Sequence, residues 1–557
     1  MPTDLELARS VSPRPITDVA ASIGLHADDL ILYGEDKAKV RLGAIERLRS
    51  GRTPGKLVLV SAITPTAAGE GKTTMTIALG QGLAKLGHSV AIALREPSLG
   101  PCLGMKGGAT GGGMCQVIPM EDINLHFTGD FHAVSTAHNL LAALLDNHIH
   151  RGDRLEIDPR RITWRRVIDM NDRALRDIII GLGGVMQGVP RESGFDITPA
   201  SEIMAILCLA ESYDDLKERL NRILLAFTYD REPITAEKLG ATGAMAALLR
   251  DALLPNLVQT MEGVPAFVHG GPFANIAHGC NSVLATRTGL HAADWVVTEA
   301  GFGFDLGAEK FFDIKCRSAG LDTVAVVLVA TCRALKMHGG VKSRELAVPN
   351  PRAVEAGFPN LDKHVENIGK FREPPVVCLN RFTQDTEEEI EVIRRHCTDV
   401  LGVPFAVCDA WSRGGEGAKE LARSVIAHAE KCSKPFRPLY DWDWPVEKKI
   451  LTVAREMYGA EEIEYTKEAE RDLRDIDRLG YNNLPICIAK TQKSLSDDPS
   501  LIGRPEEFTV HVREILISAG AGYLVPLTGD ILRMPGLPSS PQAERIDLVD
   551  GKITGLE

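Results

Sequence analysis

At 557 residues, 44% of them hydrophobic and 25% charged, the chain is too long for one core and suggests three or four domains of about 150 residues. Its net charge of −12 speaks against a general nucleic-acid or membrane-surface binder, so anionic ligands must be met by local basic groups. No apolar run is long enough to span a bilayer and Met1–Ala8 lacks a basic–apolar targeting pattern, which gives the expectation of a cytoplasmic protein.

The first informative stretch lies between Lys56 and Thr74. Lys56–Ala62 reads as a buried strand, the loop ends in Gly71-Lys72-Thr73, and a helix opens at Thr73-Thr74. Helical spacing continues over Met75–Leu86 and stops at Gly87. This is the layout of a phosphate-binding loop formed by Pro65, Thr66, Ala67, Ala68, Gly69, Glu70, Gly71, Lys72, Thr73 and Thr74. Backbone N–H groups and the helix start surround a triphosphate, Lys72 reaches the terminal phosphates, and the Thr73 hydroxyl sits where Mg²⁺ is held. Thr66 stands at the place of the usual first glycine, while Gly69 and Gly71 supply the loop's freedom. The motif predicts binding of ATP or GTP.

A second strand, Ser89–Leu94, leads into Arg95-Glu96. Consecutive strands are neighbours in roughly two-thirds of cases, which puts Arg95 beside the loop, facing the terminal phosphate. A guanidinium there neutralises a transferring phosphoryl group and grips a second anion; the plain alternative is a surface pair with Glu96 or another acid. From Gly104 to about Arg231 the pattern changes. A glycine-rich segment, Gly107–Gly113, precedes helical stretches at Ala133–Asn147, Trp164–Ile180 and Ala200–Leu220, read as an insertion between strands.

Further apolar runs follow at Val264–His269, Ala293–Glu299, Thr323–Ala330 and Pro375–Leu379. Continuous runs between helices are the signature of a parallel sheet buried on both faces, so the fold class is α/β, a doubly wound, mostly parallel sheet. The partition reads as a P-loop NTPase-like catalytic domain over 1–360 with a mainly helical insertion around 104–235, an α/β domain over 361–475, and a small β-rich domain over 476–557. Proline-rich breaks at Ala347–Pro351, Phe358-Pro359 and Lys434–Pro438 guide it, with a strand at Phe508–Ser518 and an Asp550-Gly551 hairpin turn near the end.

Ligands of open α/β sheets lie beyond the carboxyl ends of the strands. Phe302, Phe382 and Trp411 each follow a strand there beside polar or glycine residues, where a ring either caps the core or forms a wall for a planar heterocycle. Eleven cysteines without a C-x-x-C pair read as core residues rather than as a zinc site or disulfide framework. His126–His150 hold five histidines without metal-ligand spacing. A nucleotide-dependent switch or partitioning ATPase, or another carboxylate ligase or small-molecule kinase on the same scaffold, stays open on these features alone.

Longer motifs narrow the field. Ala62–Thr74, Arg95-Glu-Pro-Ser-Leu-Gly-Pro101, Pro119–Asp130, Glu299-Ala-Gly-Phe-Gly303, Asp305–Cys316, Gly480–Pro485, Ala489–Gln492 and Met534–Pro538 together resemble formate–tetrahydrofolate ligase, over nearly the whole chain. Ala67, where that family often has proline, and Lys493, where an aromatic is usual, are small departures. The resemblance implies that ATP, formate and tetrahydrofolate give 10-formyltetrahydrofolate, ADP and phosphate through formyl phosphate. It implies Lys72 and Mg²⁺ on the γ-phosphate with Thr73 as Mg²⁺ ligand, and Arg95 orienting formate and stabilising formyl phosphate. It further implies Glu96 as a ligand of a monovalent cation (K⁺ or NH₄⁺), Phe382 and Trp411 around the pterin with Phe302 nearby, and a homotetramer.

Overall fold

The computed structural model describes residues 2–105, 110–152, 154–432 and 435–556. The 107–109 part of the glycine-rich segment and Lys434 of the later break lie outside the described residues.

A central sheet of twelve strands organises the chain. In chain order they are β1 (Leu30–Leu32), β2 (Ala38–Val40), β3 (Lys56–Ala62), β4 (Val90–Leu94), β5 (Gly111–Gly112), β6 (Cys115–Ile118), β7 (Asn256–Thr260), β8 (Pro265–Val268), β9 (Trp295–Glu299), β10 (Ala325–Ala330), β11 (Val376–Asn380) and β12 (Phe405–Cys408). Across the sheet the order is β1-β2-β7-β8-β4-β9-β3-β10-β11-β12, with β6 on β7 and β5 on β6. From β8 to β12 every pairing is parallel. The mostly parallel α/β architecture expected from the continuous apolar runs is present, and the sheet runs on past residue 360 through β11 and β12.

Side-chain alternation explains the two layers. Leu57 and Leu59 of β3 join the core on one face, while Val58, Val60 and Ala62 join that on the other. Ala91 and Ala93 of β4 divide from Val90, Ile92 and Leu94 in the same way. With both faces buried, the strands carry no polar alternation. Helix α1 (Lys72–Lys85) lies on the second face, where Gly80 packs so close to Ile92 that a Cβ there would meet its side chain at 2.6 Å. The chain leaves α1 through Gly87 in the left-handed region (φ 89°).

Two sequence expectations need correction. Trp164–Ile180 is not a helix: it holds a strand at Arg166–Ile168, a single turn at Arg173–Leu175 and a strand at Ile178–Ile180. Phe195–Ile197 pairs with the first strand and Arg191–Ser193 with the second, and these distant pairings override the local apolar spacing. Nor are β3 and β4 neighbours, because β9 lies between them, hydrogen-bonded to both.

Near the C-terminus a three-stranded sheet joins Glu462–Tyr465, Thr509–Ser518 and Tyr523–Thr528. The hairpin Asp547–Val549/Lys552–Thr554 turns through Asp550 (φ 50°) and Gly551 (φ 75°), as a D-G turn requires. Buried Lys490 ties this region to the sheet edge by an ion pair of 3.1 Å to Asp305.

Candidate active site

The carboxyl ends of seven parallel strands share one edge, and their order decides what can meet. From one side to the other the edge presents Arg95-Glu96 after β4, Glu299 closing β9 with Phe302 three residues on, the loop 63–71 after β3, Arg333 after β10, Phe382 after β11 and Trp411 after β12. With strands about 4.8 Å apart, the ends of β4 and β11 each lie about 10 Å from that of β3, on opposite sides.

The loop is braced from several directions. Glu70 is buried and turns its carboxylate back, accepting the Thr66 N–H at 2.7 Å and the Thr331 hydroxyl. Asn380 donates to the Glu70 carbonyl at 3.1 Å, and a Cβ on Gly71 would lie 2.5 Å from the Asn380 amide. Gly69 and Gly71 both have positive φ (77° and 73°), which only glycine adopts at little cost. At the loop's base Thr64 is held by Asn360, by His364 at 3.0 Å and, through its carbonyl, by His338 at 2.9 Å. Pro65 is buried, Ala67 and Ala68 are exposed, and Lys72, Thr73 and Thr74 are half-buried. No side chain caps the start of α1, so its first-turn N–H groups face the concavity of the loop.

The intervening strand β9 supplies the link the sequence did not reveal. The Thr73 hydroxyl donates to Glu299 Oε2 at 2.8 Å, and the other carboxylate oxygen of Glu299 stands 3.6 Å from Arg95 Nη2. Arg95 also donates to the Pro272 carbonyl at 3.3 Å. Arg95 is thus linked to the end of the loop after β3 through a buried glutamate instead of side by side. The signal for Glu299 is an acid ending the strand beside β3, and it becomes visible only when the strand order is known.

Glu96 is buried, with Asp130, Lys39 and Asp169 as its charged neighbours. Lys39 contacts Asp130 at 2.7 Å and Asn256 donates to the other Asp130 oxygen at 2.7 Å. Burial first, then the Asp130 carboxylate, push the Glu96 carboxyl well above the usual range, and its Oε2 has no hydrogen-bond partner.

The three rings divide between the flanks. Phe302 is half-buried with φ 57°, a left-handed backbone costly for a non-glycine residue and held in place by Gly301 bonding to the Gly279 carbonyl. Phe382 carries the Arg333 guanidinium over one face, 3.6 Å from the ring centre. Trp411 is 37% exposed and rests against Gly113, whose Cβ would meet the indole at 2.7 Å. Asn380 of β11 and Cys408 of β12 are register partners, so Phe382 and Trp411 rise from adjacent strand ends.

The family model for formate–tetrahydrofolate ligase matches residues 2–557. The chain belongs to the formate–tetrahydrofolate ligase family. It is therefore an ATP-dependent ligase of one-carbon metabolism whose small-molecule substrates are ATP, formate and tetrahydrofolate. All eleven cysteines are free, ten of them buried, as core thiols are. Among the described residues no helix is long and apolar enough to cross a membrane, and no group of three or more His, Cys, Asp or Glu suits a metal ion.

Proposed function

We propose that this ligase first phosphorylates formate with ATP and then passes the formyl group from formyl phosphate to tetrahydrofolate, releasing 10-formyltetrahydrofolate, ADP and phosphate. The observation that carries this reading is the chain of contacts Thr73–Glu299–Arg95, which joins a phosphate loop to an anion-binding guanidinium across three strand ends. Formate is a resonance-stabilised anion and a poor acyl donor, so one of its oxygens must become a phosphate before an amine can displace it. Phosphoryl transfer of this kind rests on positioning and charge neutralisation, and needs no protein nucleophile.

In this reading the loop Pro65–Thr74 wraps the triphosphate, and Lys72 neutralises the γ-phosphate. Thr73 and Glu299 offer two oxygen donors 2.8 Å apart, which suits Mg²⁺ because that ion takes one or two protein ligands and fills the rest with phosphate oxygens and water. Mg²⁺ bound there withdraws charge from the phosphate being transferred. Arg95 orients formate and then holds formyl phosphate. The partnerless Glu96 oxygen beside Asp130 fits a monovalent cation, K⁺ or NH₄⁺, which offsets the crowded carboxylates. The pterin lies between Phe382 and Trp411, each of which has one side already covered, with Phe302 nearer the formyl group. The mixed anhydride needs shelter from water, and Gly301–Gly303 and Gly414–Gly417 supply hinges for closure. We assign the enzyme to the cytoplasm and to a homotetramer; exposed Leu182 (65%), Val185 (88%) and Met186 (79%), on the loop joining Ile178–Ile180 to Arg191–Ser193, support a subunit contact.

Oxygen labelling tests the intermediate. Turnover of [¹⁸O]formate transfers one labelled oxygen into inorganic phosphate; phosphate that stays unlabelled rules formyl phosphate out. Trp411→Ala raises the dissociation constant for tetrahydrofolate at least tenfold by calorimetry and that for ATP less than twofold. Equal weakening of both ligands removes the stacking role.

A further inference from the structure

The described end of the glycine-rich segment has no place in the loop after β3; it lies against Trp411 instead. Strands β5 and β6 form a tight hairpin, Gly111 opposite Gln116 and Gly112 opposite Cys115, which turns through Gly113 and Met114. The Met114 N–H donates to the Trp411 carbonyl at 2.8 Å. A Cβ on Gly113 would lie 2.1 Å from that carbonyl, and one on Gly112 would lie 3.5 Å from the indole nitrogen. The bare backbone of two glycines is thus the seat on which the ring rests. Such a seat is loose by nature, because Gly111 (φ 95°) and Gly113 (φ 59°) adopt backbone that costs glycine much conformational freedom to fix. Trp411 adds little restraint of its own. It follows β12, the last strand of the sheet, and its helical stretch Ala410–Gly417 is interrupted at Gly414 (φ 56°, ψ −145°).

The pin comes from the first helix of the chain, Asp4–Arg9. The Gly113 N–H donates to Asp4 Oδ1 at 2.8 Å, and the Gln116 amide donates to the carbonyls of Asp4 and Gly113, both at 2.9 Å. Asp4 Oδ2 lies 3.1 Å from the place a Cβ on Gly112 would take. The helix itself is anchored: Leu5 and Ala8 are buried in a cluster with Ile118, Met120 and Met261, and Arg9 bonds to Glu121 and to the Ile553 carbonyl. Resting on the folate site proposed above, we infer that Asp4 is a positioning residue for tetrahydrofolate. It acts through Gly113 and Trp411 rather than on the substrate, fixing the seat so that the indole is already oriented when the pterin arrives. Without it the pterin must order the turn and the ring on binding, and affinity falls by that cost.

The test is steady-state kinetics of the full-length enzyme in wild type, Asp4→Ala, Asp4→Asn and Glu6→Ala. Asp4→Ala raises KM for tetrahydrofolate about tenfold and leaves kcat and the KM values for ATP and formate within about twofold. Asp4→Asn restores the folate KM to within about threefold of wild type, because an amide oxygen accepts the same Gly113 N–H. Glu6→Ala breaks the capping contact of the same helix, Thr3 N–H to Glu6 at 2.9 Å, and leaves the folate KM unchanged. In a Trp411→Ala background, Asp4→Ala adds less than about twofold, since contacts in series are not additive. Four results overturn the role of Asp4: a wild-type folate KM in Asp4→Ala, equal weakening of ATP, an asparagine variant as poor as the alanine, or a full tenfold loss that persists without the indole. If Trp411→Ala alone leaves the folate KM at its wild-type value, the folate site itself is misplaced, and that failure is read separately.

Discussion

Lys72→Ala lowers turnover at least a thousandfold while the protein still folds. The γ-phosphate carries charge that must be neutralised as its bond to ADP lengthens, and Lys72 opens the helix at the loop's end with no other cation of the loop to take over. Each ~1.4 kcal/mol of lost transition-state stabilisation is tenfold in rate, and a charge contact in a closed site contributes several such steps. Alanine is the best helix former, so α1 keeps its first turn. Lys72→Arg restores charge but not shape, because the planar fork replaces a compact ammonium in a loop held tight by Glu70 and Asn380. Single-turnover ADP formation, read with an unchanged thermal transition, is the measurement. A variant that keeps a tenth of the wild-type rate removes Lys72 from the chemistry.

What the sequence disclosed and what it hid divide along a physical line. Runs such as Lys56–Ala62 and Ala325–Ala330 are legible because burial on both faces leaves no polar alternation, and the turn at Gly71 into the helix from Lys72 is legible because glycine marks it locally. Strand order is another matter. Trp295–Glu299 inserts between β3 and β4 although it comes far later in the chain, and no nearest-neighbour rule anticipates that. Glu299 was visible as a residue, but its place between Thr73 and Arg95 depends on the insertion. Trp164–Ile180 fails for the same reason: its partners at Phe195–Ile197 and Arg191–Ser193 lie outside the window in which periodicity is read. The left-handed backbone of Phe302 is equally silent in sequence, since only glycine announces such a conformation. Arg333 over Phe382 and the brace of Asn380 on the loop are further contacts between chain segments that only the fold assembles.

Arg95→Ala abolishes formyl transfer and leaves ADP binding within about threefold of wild type. The contrast follows from position. Arg95 lies two strands from β3, and its reach toward the loop goes through Glu299, so the nucleotide's own contacts with the loop backbone and Lys72 remain when the guanidinium is removed. Formate, by contrast, is a single carboxylate with no apolar body to bury, and a charge-assisted fork is the strongest grip a side chain offers it. Losing that grip costs orientation as well as affinity, since an unheld formate seldom aligns with the γ-phosphate. Arg95→Ala also strips Glu299 of its nearby cation and leaves a buried carboxylate bonded to the Thr73 hydroxyl. Arg95→Ala/Glu299→Gln isolates the charge effect on the nucleotide: it relieves the unpaired charge, so ADP affinity read without Mg²⁺ stays near wild type, while formyl transfer stays lost because neither the anion's holder nor the Mg²⁺ carboxylate remains. Calorimetry with ADP and a coupled assay for the formylated product read the pair. If ADP affinity falls in step with activity in the single variant and returns in the double, Arg95 serves the nucleotide through Glu299 and formate must be held by another group.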